Sequence, residues 1–256
     1  MTIALAALAV ALPSASGLAA ALLRRWPTTA QRAACALLCA GAAAGLLSAG
    51  AVLLGGAPAA SARLALHVDA LAALFLVPVS LLSGLGAVYG LRYHPQAEVG
   101  FAAVRLQLFY GLAAGGMALL VVASNGVAFL VGWEVMALSN FFLVLTDHDE
   151  PEVQRSAFTY LAATHVGTLA LFALFALLRQ AAGSLDFAAI AGLSADRAGG
   201  GWILALALLG FGMKAGLMPF HFWLPGAHAA SPSHVSALMS GVVVKMGIYG
   251  ILRVTG

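Results

Sequence analysis

The chain has 256 residues, 62% of them hydrophobic and 8% charged, against about 45–50% apolar and about 25% charged in a soluble domain. So few charged residues cannot cover that much apolar material in water, and disorder is excluded because it needs low hydrophobicity and high net charge. A net charge of +3 is too small and too scattered to indicate a nucleic-acid partner. Lipid is the remaining solvent. No strand alternation or aromatic girdle marks an outer-membrane barrel, so the expected fold is all-α and polytopic, because helices satisfy their own backbone groups in hydrocarbon.

Apolar runs between charges and breakers predict eight transmembrane helices, over 3–23, 34–57, 69–91, 106–123, 126–146, 155–178, 201–222 and 234–254. The small-residue run ALPSASG looks like a signal-peptide cleavage site, but no basic stretch precedes the apolar run, which favours a first transmembrane helix kinked at Pro13. LRRWPTTAQR, GGAPAASAR and RYHPQAEVGFAAVR are the first linkers, and Asp69 opens the third span. Ser124-Asn125-Gly126 reads as a tight turn, and Asp149-Glu150-Pro151-Glu152 as a helix start. The longest linker, RQAAGSLDFAAIAGLSADRAGG, has room for a short surface helix. With eight spans the two ends share a side. Arg63, Arg179, Arg197 and Arg253 fall on that side and Arg24, Arg25, Arg32, Arg92, Arg105 and Arg155 on the other, which places both termini outside. Cys35 and Cys39, four apart inside the second span, read as small apolar fillers.

The ten arginines lie at span ends or in linkers, whereas both lysines lie inside spans. Lys214 is in GWILALALLGFGMKAGLM and Lys245 in VSALMSGVVVKMGIYGIL, and Glu134, in NGVAFLVGWEVMALSNFFLVL, is the one acid away from a span end. A charge at that depth costs about 2.5–3.5 kcal/mol on insertion scales. An opposite charge about 6–7 Å away, at an effective dielectric near 20, returns roughly 2.5 kcal/mol, nearly two pKa units. A lysine near that balance changes protonation in response to a small change nearby, which is what a proton relay requires. The structural alternative is a Glu134–Lys214 salt bridge that only fixes packing. A hydrophobic pair does that as well, and one carboxylate cannot neutralise two lysines.

Lys214 is followed by Pro219, His221, Trp223 and Pro225 in KAGLMPFHFWLPGAHAASPSH. Pro219 cannot donate to the Ala215 carbonyl, so a broken helix is expected, with freed carbonyls tolerable only in a wet or protein-filled cavity. Such breaks mark ion or substrate sites in transporters. Ser231-Pro232 reads as the cap and first turn of the eighth helix. His165 in YLAATHVGTLALF is either a neutral histidine bonded to a neighbouring helix or a relay member. His221, His228 and His234 surround the break, as a hydrated access path or as helix-end caps. Facing haem ligands have no support beyond residue type, and no nucleotide-binding glycine pattern or cysteine cluster is visible. No cofactor or metal site is expected, and no redox centre of the chain's own.

The segments around Glu134, Lys214 and Lys245 (VGWEVMALSNFFLVL, GFGMKAGLMPFHFWLPGAHA and SPSHVSALMSGVVVKMGIYGILR) resemble the antiporter-like proton-translocating membrane subunits of respiratory complex I, a family that includes Mrp-type antiporters and membrane subunits of group 4 hydrogenases. With THVGT in the sixth span, the chain is most similar to the hydrogenase-4 component B branch. The resemblance implies about fourteen helices in the family fold, with two inverted repeats. Residues 1–105 would be an N-terminal three-helix region and 106–256 the first repeat, helices 4–8, with the second repeat absent and a fragment of a longer chain expected. It further implies that Glu134 sets the protonation of Lys214, which passes a proton towards Lys245. Implied partners are other membrane subunits and peripheral iron–sulfur, hydrogenase or NADH-oxidising subunits, in a bacterial inner membrane. Rival readings are a monovalent cation/proton antiporter subunit and a non-conducting scaffold.

Overall fold

The computed structural model describes residues 1–23, 25–193 and 200–255. Arg24 and Arg197, used above in the arginine count, lie outside the described residues. Helices α1 (Thr2–Leu22) and α2 (Pro27–Leu53) are followed by an antiparallel hairpin, β1 (Ala59–Ser61) and β2 (Leu66–Val68). Then come α3 (Ala70–Tyr93), the short α4 (Gln96–Val99), α5 (Phe101–Val122), α6 (Gly126–Val144) and α7 (Pro151–Ala182). The last part holds α8 (Phe187–Ala191), α9 (Gly200–Ala215), a 3-10 turn (Phe220–Trp223), α10 (Leu224–Ala230), α11 (Ser233–Leu238), a π segment (Met239–Val243) and α12 (Val244–Thr255). Eight helical stretches among the described residues are long and apolar enough to cross a membrane, the seventh being Gly200–Ala230 and the eighth Ser233–Thr255.

The helix ends follow local chemistry rather than the apolar runs. Pro27 occupies the first turn of α2, so that helix starts well before position 34: Thr28, Gln31 and Arg32 are polar but continue it. Pro151 likewise starts α7, which runs 32 residues to a left-handed Gly183; its polar ends extend past 155–178. Asp69 caps α3 by accepting from the Ala72 N–H, and Asn125 caps α6 by accepting from Ala128 N–H. Ser231 does not cap the eighth span. Its hydroxyl donates back to the Ala227 carbonyl at 2.6 Å and closes α10, and α11 begins at Ser233 behind Pro232. The long linker does contain a short helix, α8.

α1 packs on α2 and α5, α5 on α6, α7 on α9, and α9 on α12. Close approach is set by small residues. A Cβ on Gly132 would sit 2.7 Å from the Leu120 backbone nitrogen and 2.8 Å from the Gly116 carbonyl oxygen, so α5 and α6 touch backbone to backbone. At one end of the bundle the hairpin joins the linkers: Leu66 bridges to Ala123, and Asn125 to Asp186.

At that end Arg253 of α12 grips the Asp69 carboxylate with two nitrogens, at 2.5 and 3.2 Å. Its Nε donates to the Tyr249 hydroxyl at 3.0 Å, and that hydroxyl donates to the Val121 carbonyl. The Arg253 side chain is 8% exposed and that of Asp69 25%. Burial works against the Asp69 charge, but the Arg253 bonds and the Ala72 N–H hold its pKa below the usual carboxylate value.

Two outcomes follow from this packing. Gly132→Val should lower the thermal stability of the solubilised protein by an amount in the range of about 1–3 kcal/mol, whereas Gly50→Ala, inside α2 with open space around its Cβ, should not lower it in the same melting experiment. Asp69→Asn should cost about 1.5–3 kcal/mol at neutral pH, the range for a charged hydrogen bond. A lowered folded-state pKa means the stabilisation is present above the unfolded carboxylate pKa and lost as pH falls through the folded value. The gap between the wild-type and Asp69→Asn melting temperatures should therefore close in acid.

Candidate functional site

Lys214 is the largest departure from the composition of the core. It sits in the last turn of α9 and is 1% exposed. Its ammonium donates to the Tyr160 hydroxyl at 2.7 Å and lies 4.8 Å from the Tyr160 ring centroid and 6.0 Å from that of Trp133. Tyr160 in turn donates to the Ala137 carbonyl of α6 at 3.2 Å, and the Trp133 indole donates to Thr168 of α7 at 3.1 Å. Two helices, α6 and α7, thus hold the ammonium of a third through aromatic side chains.

Glu134 makes no direct ion pair with Lys214. It is half-buried, its Oε1 has no protein hydrogen-bond partner, and it interacts with Lys214 and Tyr160 electrostatically. The direct salt bridge weighed from sequence is therefore not formed.

The helix break beside Lys214 begins at Gly216, not Pro219. Gly216 has φ +65°, the Leu217 N–H bonds the Gly212 carbonyl at 3.0 Å and the Gly216 N–H bonds that of Met213 at 3.4 Å. This pair of bonds around a left-handed glycine ends α9 before the proline is reached. Pro225 is not part of the break either; it lies in the first turn of α10. The Met213 carbonyl also accepts from the Trp223 indole at 2.8 Å, so protein fills the gap there. The ending of α9 also places Lys214 in the last turn of a helix, where the dipole favours a cation.

The other expected residues divide. Lys245 is exposed, with Nζ on the Ser240 carbonyl of the π segment. Its helix nevertheless runs against α9, since a Cβ on Gly247 would meet the Phe211 carbonyl and the Ala215 nitrogen, the latter at 2.7 Å. His165 is exposed and its Nδ1 contacts the Leu161 carbonyl of its own helix at 3.0 Å; the neighbouring-helix bond weighed from sequence is absent. His221 is exposed in the 3-10 turn. His228 is half-buried, its Nδ1 2.9 Å from the Ser236 hydroxyl, and within electrostatic reach of Lys245. His234 is buried against the rings of Tyr89, Tyr93, His94 and Tyr110, so the three histidines do not form one group. Among the described residues no three metal-ligating side chains come together.

Sequence reasoning missed Tyr160, Trp133 and Thr168, because it weighed formal charges. The available signal was a tyrosine within an apolar span, whose hydroxyl needs a partner when buried.

Comparison with known proteins identifies the family and the fold. The family model described as "NADH:quinone oxidoreductase/Mrp antiporter, TM" matches residues 123–256. Hydrogenase-4 component B of Escherichia coli (strain K12) is 40% identical over 75% of this chain and 28% of its own length. Formate hydrogenlyase subunit 3 of the same organism is 30% identical over 81% of this chain and 33% of its own. A chain of respiratory complex I from Thermus thermophilus superposes with a TM-score of 0.78 and 25% identity, over 97% of this chain and 53% of that one. The chain therefore spans about a third of the curated relatives it matches, and about half of the complex I chain. It is a multi-pass membrane protein belonging to the NADH:quinone oxidoreductase/Mrp antiporter transmembrane family.

Proposed function

We propose that the chain serves proton translocation, as part of a membrane subunit of a hydrogenase-type or complex I-like complex in a bacterial inner membrane, with both termini outside. In this reading residues 1–105 are an N-terminal three-helix region and 106–256 the first antiporter-like repeat. The observation that carries it is Lys214: an ammonium buried at a helix break, held by the Tyr160 hydroxyl, with the unpartnered Glu134 carboxylate in electrostatic reach. Glu134 sets the protonation of Lys214, and the proton passes on towards Lys245 on the adjoining helix. His221 and His228 supply the access route at the break. His165 is a relay member only if an outward route along α7 exists, since it has no contact with Lys214 or Glu134.

Tyrosine suits the central position. Its hydroxyl accepts from an ammonium but does not take the proton at neutral pH. The energy comes from electron transfer in iron–sulfur, hydrogenase or NADH-oxidising partner subunits, since this reading gives the chain itself no redox step.

The complete complex in sealed vesicles tests this. Lys214→Ala and Glu134→Ala should each lower proton uptake per electron transferred while electron transfer persists. Unchanged uptake in both would leave a scaffold role. Monovalent-cation exchange without any electron donor would instead indicate an antiporter. Tyr160→Phe removes a hydrogen bond to a charged group, worth about 1.5–3 kcal/mol. It should slow proton uptake by roughly ten- to a hundredfold, read from the initial rate of vesicle acidification.

A further inference from the structure

At the end of the bundle away from the Asp69–Arg253 pair, α2, α3, α5 and α11 line a pocket of about 30 Å³. Its polar lining comes from Gln31, Cys35, His94, Gln107, Tyr110 and His234. Three of these are already engaged. Gln31 Nε2 donates to the Gly90 and His94 carbonyls at 3.1 and 2.9 Å, and its Oε1 accepts from the Gln96 N–H, closing the open C-terminal end of α3. The Tyr110 hydroxyl donates to the Leu82 carbonyl at 3.2 Å. Cys35 Sγ faces Cys39 Sγ at 4.0 Å.

His94 Nδ1, His234 Nδ1 and both amide atoms of Gln107 remain, all buried and without a partner among the protein groups. Such groups are costly in an interior and are normally bonded. The two imidazoles cannot bond one another as they stand, for their centroids are 6.3 Å apart. Tyr89 and Tyr93 pack against His234, and the Ser233 hydroxyl donates to that of Tyr93 at 3.2 Å, covering the site.

The mixture of groups selects the ligand. Gln107 offers a donor and an acceptor, and each neutral Nδ1 is one or the other according to its tautomer. A cation serves acceptors only and an anion donors only. Water serves both, and one molecule needs roughly 10–15 Å³ of such space. We infer that this pocket binds one or two ordered waters bridging His94, His234 and Gln107. The bridge joins the end of the third span to the start of the eighth by a proton-exchanging link, separate from the Glu134–Lys214 site.

A density map of the complete complex in nanodiscs, at a resolution that shows waters, tests the inference. A peak within hydrogen-bonding reach of both Nδ1 atoms and the Gln107 amide is expected, and its loss in Gln107→Leu. With histidine nitrogens labelled, both rings in the wild-type protein should also receive magnetisation from water. A pocket without a peak, a peak at metal–nitrogen rather than hydrogen-bonding distance from the rings, or rings turned to bond Gln107 directly would each overturn it. If Gln107→Leu fails to assemble, the wild-type map and the magnetisation transfer decide.

Discussion

One ammonium organises the second half of this chain. Lys214 cannot leave the bundle, because it lies in the last turn of a helix packed on both α7 and α12. At that depth an uncompensated charge costs about 2.5–3.5 kcal/mol or more. Compensation comes from several weak partners: a phenol oxygen at 2.7 Å, two aromatic faces, a helix C-terminus and a carboxylate acting at a distance. A direct ion pair with Glu134 would be a stronger trap for the proton. In the arrangement found, a change near Glu134 alters the energy of charged Lys214 without breaking a bond.

The break in the seventh span follows from the same need. A helix that continued through Ala215 would bury Lys214 beside neutral backbone. Ending it at Gly216 leaves Lys214 in the last turn, where a helix dipole favours a cation, while the Trp223 indole satisfies the Met213 carbonyl and keeps water from needing to do so. The break is thus a polar environment built in apolar surroundings without an added charge.

Which features could be read from the sequence depends on how far each signal reaches. Eight spans were legible because hydropathy is a property of each run alone. Glu134, Lys214 and Lys245 stood out because a charge inside such a run has no bland surroundings. The break was legible through Pro219, though Gly216 ends the helix first: a left-handed glycine has no distinctive neighbours in sequence. Tyr160 escaped because its hydroxyl carries no formal charge, and its role exists only once α7 lies beside α9. The Asp69–Arg253 pair joins residues 184 apart. Both lie at span ends in the sequence, yet nothing local connects them. His234 lies close to His221 and His228 along the chain, whereas α11 turns it towards α3.

The eighth span shows how these polar contacts work together. Its C-terminal end is fixed to α3 and α5 by Arg253, Asp69 and Tyr249. Its N-terminal end is fixed to α3 by His234 and by Ser233 on Tyr93. Between these anchors lies the π segment Met239–Val243, whose Ser240 carbonyl holds the Lys245 ammonium. A wider turn inserts one extra residue into a helical register, and such turns concentrate at functional sites. With both ends pinned, the turn sets which way Lys245 points: returning it to α-helical winding would rotate one anchored end against the other. The direction of Lys245 is therefore a property of the whole span, fixed by contacts made at its two ends.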